Sequence, residues 1–192
     1  MADPAYIVDG VLTDGEAWVG IAHASLSLPA ATVTWTSTDD GQTGDFSQYM
    51  DLVIVVYART DGASWPTVKM YVNNITTGAL YTSQSLYGDG SAASASSATY
   101  NYGGQWNTSG SSEGANIFGC CVYNLFDINS GKFKSMTWNS AGDRDGSGYV
   151  EMYAGTVKTQ APITEIDLTG DGADFVAGCQ FSLFGVLPRM VA

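Results

Sequence analysis

Tyr49-Met50-Asp51-Leu52-Val53-Ile54-Val55-Val56-Tyr57-Ala58-Arg59 is the stretch on which the fold turns. Its centre is β-branched at Val53, Ile54, Val55 and Val56. Such side chains lose χ1 freedom in a helix and pack well on a pleated surface. The run is also short for a helix, so it reads as a central strand buried on both faces. A second apolar segment, Ala115-Asn116-Ile117-Phe118-Gly119-Cys120-Cys121-Val122-Tyr123-Asn124-Leu125-Phe126-Asp127, reads as another long strand. Gly119 within it marks a bulge or a close backbone approach.

Working outward, residues 31–37 show period-two alternation around Thr, and residues 67–73 set Val68, Met70 and Val72 against Lys69 and Tyr71. Residues 132–138 set Phe133, Ser135 and Thr137 against Lys134, Met136 and Trp138. Residues 148–156, 163–168 and 175–186 complete the set. Asp39-Asp40-Gly41, Asp61-Gly62, Asp89-Gly90, Asn129-Ser130-Gly131, Asp145-Gly146 and Gly170-Asp171-Gly172 supply the turns between them. No segment sustains helical apolar spacing and no internal repeat is present. The expectation is an all-β chain, an antiparallel β-sandwich or a barrel. Two polar stretches, 88–97 and 107–114, read as surface loops. Between them, Tyr100, Tyr102 and Trp106 either pack over an open sandwich edge or form a surface contact loop for a ligand or a neighbouring subunit.

Length and charge narrow the function classes. The 192 residues suit one domain. Residues 1–28 form either an N-terminal docking or intersubunit segment or the first strands, and 29–192 form the sandwich. In the N-terminal segment Tyr6, Ile7, Val8, Val11, Leu12 and Trp18 are the candidate partner-binding residues. The apolar and aromatic content argues against disorder. Only 7 basic residues stand against 19 acidic ones, a net charge of −12, which disfavours nucleic acid and membrane surfaces as partners. The longest apolar run is far short of a bilayer span, and Met1-Ala2-Asp3-Pro4 is not followed by the apolar core of a secretory signal.

The residues that carry chemistry are sparse. His23 is the single histidine, and no Gly-x-Ser-x-Gly elbow accompanies it. One His and three ill-spaced Cys do not make a zinc set. Cys120, Cys121 and Cys179 read as buried free thiols; a bridge from Cys179 to one of the pair would require an oxidising location. Asp143-Arg144-Asp145-Gly146-Ser147-Gly148-Tyr149-Val150-Glu151 matches much of a calcium loop, but Ala154 stands where a bidentate Glu belongs, so a tight hairpin is favoured. Asp167, Asp171 and Asp174 read as a Gly-rich turn. A glycoside hydrolase would need paired carboxylates, and none of Glu16, Glu113, Glu151 or Glu165 forms an evident pair. The expectation is therefore a protein with no enzymatic activity, no catalytic or metal residues and no cofactor.

Three stretches taken together carry a resemblance. They are Ala31-Thr32-Val33-Thr34-Trp35-Thr36 with 48–55, then Leu86-Tyr87-Gly88-Asp89-Gly90-Ser91-Ala92, then Asp143 to Tyr149 with the ending Phe175-Val176-Ala177-Gly178-Cys179-Gln180-Phe181-Ser182-Leu183-Phe184-Gly185-Val186. This order resembles a family of virion structural proteins of tailed bacteriophages, across residues 30–187. The family ending usually reads Phe-Ser-Leu-Tyr-Gly-Ile, so Phe184 and Val186 depart from it conservatively. The resemblance implies a jelly-roll-like sandwich, used as a homotrimer on the exterior of the virion. It implies a capsid decoration (cement) protein contacting the major capsid protein or other virion proteins, or else a tail-associated or fibre-tip protein that binds host glycans.

Overall fold

The computed structural model describes residues 7–8, 11–12, 18–38, 44–63 and 65–187. β1 (Ile7–Val8) and β2 (Val11–Leu12) pair only with each other among the described residues. Eight strands form the larger sheet, in spatial order β3 (Trp18–Ser25), β14 (Gln180–Val186), β5 (Asp51–Ala58), β10 (Gly119–Phe126), β11 (Lys134–Asp143), β12 (Gly148–Val157), β7 (Tyr81–Gly88) and β8 (Ala93–Tyr100). Four more form the smaller sheet: β4 (Thr32–Thr36), β13 (Glu165–Gly170), β6 (Thr67–Val72) and β9 (Gly103–Asn107). Every strand pairing is antiparallel among the described residues. The chain is thus an all-β, antiparallel two-sheet sandwich.

The smaller sheet alternates cleanly. Val33, Trp35, Val68, Met70, Val72, Ile166 and Leu168 face inward and are buried. The outward Thr34 hydroxyl donates to Asp167 at 2.6 Å, and Lys69 pairs with Asp171 at 2.7 Å. Polar-out, apolar-in alternation is what a sheet wet on one face requires.

The larger sheet is best followed along its cross-strand rows. One inner row runs Leu183, Ile54, Tyr123, Trp138, Tyr153, Ser85, Ser96. It begins apolar where the smaller sheet covers it and ends in hydroxyls on β7 and β8. The outer rows include Tyr57, Cys120, Ala141, Val150, Gly88, Ala93 and, beside it, Val55, Val122, Asn139, Met152, Leu86, Ala95. β5 is therefore central but not buried on both faces. Val55 and Tyr57 remain 39% and 46% exposed, because β-branched and aromatic side chains tolerate a half-wet sheet surface.

β9 is clamped to the larger sheet by side chains. Tyr123 donates its hydroxyl to the Gly104 carbonyl at 2.7 Å, and Trp138 Nε1 donates to the Gln105 carbonyl at 2.8 Å. Glu151 accepts from the Asn107 amide N–H at 3.1 Å and from Asn107 Nδ2 at 2.9 Å. Gly104 holds φ +58°, and a Cβ there would meet Met70 at 2.9 Å, so glycine is what lets this edge approach so closely. Gly119 likewise serves close approach: a Cβ would lie 2.9 Å from the Trp106 ring.

Several expectations are corrected. Residues 88–97 are not a loop but the end of β7, a turn closed by Asp89, and the start of β8. Residues 107–114 fold inward at Thr108 and Ser109, both fully buried; Thr108 Oγ1 donates to the Ala58 carbonyl at 2.6 Å. Along β11, by contrast, the expected alternation holds: Lys134, Met136 and Trp138 share the buried face, while Phe133 is exposed. Cys121 and Cys179 are buried free thiols, but Cys120 is exposed, and all three are unbridged.

Candidate functional site

The larger sheet is wider than the smaller one, and its excess width builds a cleft. β7 and β8 extend past the free edge of β9, so their inner faces are left partly uncovered. The cleft has a volume of about 190 Å³. Its floor is small and hydroxylated, with Ser83, Ser85, Ser96 and Ala98. Its walls are aromatic. Tyr100 and Tyr102 stack with centroids 4.7 Å apart, and Trp138 and Tyr153 stack at 4.6 Å. A Cβ on Gly155 would come within 2.8 Å of Trp138, so glycine there lets the indole lie flat.

Below the cleft, Glu151 is a buried carboxylate with four partners. Besides the two Asn107 groups it accepts from Ser140 Oγ at 2.8 Å and from the Tyr153 hydroxyl at 3.2 Å. A buried carboxylate needs this many donors to offset its lost hydration. The Gln105 side-chain oxygen is buried and has no hydrogen-bond partner, and Gln105 is among the residues that line the cleft.

Burial acts on the tyrosines of this region. It pushes the Tyr81 phenol up to about 12. Burial, with Tyr100 and Asp171 adding, pushes Tyr102 up to about 12 as well. Tyr153 is raised by burial and then by Glu151, and Tyr123 is raised by burial. A folded-state pKa above the ordinary 10 means stability that is full below pH 10 and is lost as pH climbs toward 12. Ultraviolet titration of the folded protein is expected to show a class of phenols that ionise only with alkaline unfolding. A single transition near the ordinary tyrosine value, with the fold intact, would contradict this.

Of the sequence-derived contact residues, Tyr100 and Tyr102 do line the cleft. Trp106 does not: it is fully buried between the sheets, because Gly103 and Gly104 draw β9 inward rather than leaving it as a loop. Tyr81, Tyr87, Trp138 and Tyr153 were missed, since only strand register brings them together. Trp18 opens β3 at the edge of the larger sheet, its ring 6.2 Å from that of Phe184. Tyr6 lies outside the described residues. Ile7, Val8, Val11 and Leu12 form the small β1–β2 hairpin.

The other chemical candidates are dispersed. His23 Nδ1 lies 3.0 Å from Ser182 Oγ on the exposed outer face of β3 and β14. Asp143 and Asp145 sit in the β11–β12 hairpin turn, where Asp143 accepts from the Gly146 N–H at 3.0 Å. The Arg144 guanidinium is buried beside this turn, 3.8 Å from the Trp65 ring centroid and 3.6 Å from Glu113. That fixed positive charge opposes a cation in the loop. Asp171 pairs with Lys69, and Asp167 accepts from Thr34, so the second acidic cluster is tied to separate partners. Among the described residues, no group of three or more His, Cys, Asp or Glu could hold a metal ion.

A second surface lies on the opposite side of the sheet. Leu86, Val150 and Met152 are 55%, 70% and 61% exposed. With Ala93, Cys120 and Ala141 they line one shallow apolar depression. Contiguous exposed apolar surface of this kind is a candidate contact site.

Set against protein-family models, curated proteins and solved structures, the chain gives no significant match.

Proposed function

We propose that this chain is a non-enzymatic structural protein on the exterior of a tailed-bacteriophage particle, most simply a capsid decoration (cement) protein. The observation that carries the reading is the apolar outer face at Leu86, Val150 and Met152. A surface this apolar on an otherwise strongly acidic chain suits attachment to a larger assembly. Support also comes from the sequence resemblance, and from a β1–β2 hairpin that joins neither sheet among the described residues. Two-residue strands do not stand alone in water, so such a hairpin needs a surface to lie on. The chain crosses between the sheets at β3–β4, β4–β5, β5–β6, β6–β7, β8–β9, β9–β10, β12–β13 and β13–β14. These repeated crossings support a jelly-roll-like topology. In this reading the protein forms a homotrimer, bridges copies of the major capsid protein, and stabilises the shell because it binds the assembled state.

Val150→Asp and Met152→Asp place charge on exposed positions and leave the core untouched. The expected result is a soluble, folded protein with sharply reduced occupancy on particles, measured by sedimentation with purified heads. Undiminished occupancy for both variants would reject this face as the attachment surface. The second reading, a tail-associated or fibre-tip protein that binds host glycans, is favoured by the aromatic cleft; immunolabelling of intact particles separates head from tail.

A further inference from the structure

We infer that the cleft between β7, β8 and β9 binds one ring of a neutral saccharide. A pyranose presents C–H groups on its faces and hydroxyls around its rim. It therefore suits a site that combines aromatic faces with short polar side chains. Tyr100, Tyr102 and Tyr153 supply the faces, while Ser83, Ser85 and Ser96 supply hydroxyls along the floor. Gln105 lines the same space, and its side-chain oxygen is buried without a hydrogen-bond partner. A turn of that amide toward a bound ring would let a sugar hydroxyl donate to an acceptor that is costly to leave bare. The volume of about 190 Å³ is below the usual range for drug-sized ligands and suits a single ring, with the rest of a chain leaving past exposed Ser96.

Charge selects the class of sugar. The Tyr153 hydroxyl donates to Glu151 at 3.2 Å, and the negative charge of Asp171 acts on Tyr102. The nearest cation, Lys69, stands 4.3 Å from the Tyr102 centroid but is held by Asp171 at 2.7 Å. Uronates, sialylated sugars and phosphorylated ligands therefore meet negative surroundings, whereas a neutral sugar does not. The inference deepens the second reading given above and does not rest on the decoration reading, whose Leu86, Val150 and Met152 do not line the cleft.

The test is calorimetric titration of the full chain with neutral oligosaccharides of glucose, galactose, mannose and N-acetylglucosamine. Matched uronate and sialylated oligosaccharides and free nucleosides are titrated alongside. At least one neutral series is expected to bind. Tyr100→Ala is expected to weaken it roughly tenfold, as loss of a stacking face implies. Ser96→Trp, which fills the floor from an exposed position, is expected to abolish it. Gln105→Leu is expected to weaken binding while leaving thermal stability undiminished, a combination that a purely structural glutamine would not give. Absence of binding by every neutral series would overturn the inference. So would binding that survives both Tyr100→Ala and Ser96→Trp, or tighter binding of anionic sugars or nucleosides. None of these variants touches the outer face, so particle occupancy reports separately on the decoration reading.

Discussion

Trp106→Ala is expected to lower the free energy of unfolding by about 3–5 kcal/mol, the range for emptying a large aromatic site in a core. The Trp106 side chain is fully buried, and its ring lies where a Cβ on Gly119 would come within 2.9 Å. The backbones around it are fixed by sheet pairing on both sides, so the vacated volume has little means of collapsing. Tyr100→Ala makes the comparison. Tyr100 is on the edge strand β8 and is exposed, so its removal is expected to leave the denaturation midpoint near that of the parent. Urea unfolding of the two variants side by side checks this. Equal midpoints for Trp106→Ala and the parent would contradict the placement of Trp106 in the core.

Glu151→Leu is expected to cost about 3–6 kcal/mol. The substitution strands donors from Asn107, Ser140 and Tyr153 in a buried site, and each unsatisfied buried donor costs roughly 1–3 kcal/mol. The loss is more than local, because Glu151 also holds the Asn107 end of β9 to the larger sheet. Near-ultraviolet circular dichroism is expected to fall as the stacked Trp138 and Tyr153 rings lose their fixed neighbour. Glu151→Gln keeps one oxygen acceptor but turns an amide N–H2 toward donors, so a smaller loss is expected. If Glu151→Leu unfolds at the parent midpoint, the carboxylate is not a structural tie.

The strands that build the middle of the core were legible because their side chains state their environment. The Val- and Ile-rich run became β5 (Asp51–Ala58), and Val68, Met70 and Val72 took the inner face of β6. β8 was not legible. Its sequence Ala-Ser-Ala-Ser-Ser-Ala-Thr-Tyr has no apolar alternation, because it lies at the sheet edge with neither face sealed. The phase of β11 was obscured by Lys134, a cation on the buried face. Its ammonium donates to the Ser130 carbonyl and to the Lys132 carbonyl at 2.7 Å, so its charge stays solvated by backbone while its stem packs inward. The Gly103-Gly104 pair reads as loop chemistry, yet here it serves close packing against Tyr81 and Tyr123. The cleft was half visible: Tyr100 and Tyr102 are close in sequence, but Tyr81, Trp138 and Tyr153 reach it only through the register of β7, β11 and β12. No local pattern encodes that meeting.

Along β7, Ser83, Ser85 and Tyr87 line the cleft, while Leu86 lines the apolar depression of the other face, which Tyr87 also reaches. The two faces thus draw on neighbouring positions of one short peptide, with Tyr87 common to both. A substitution at Leu86 therefore leaves Ser83 and Ser85 in place, and the reverse holds equally.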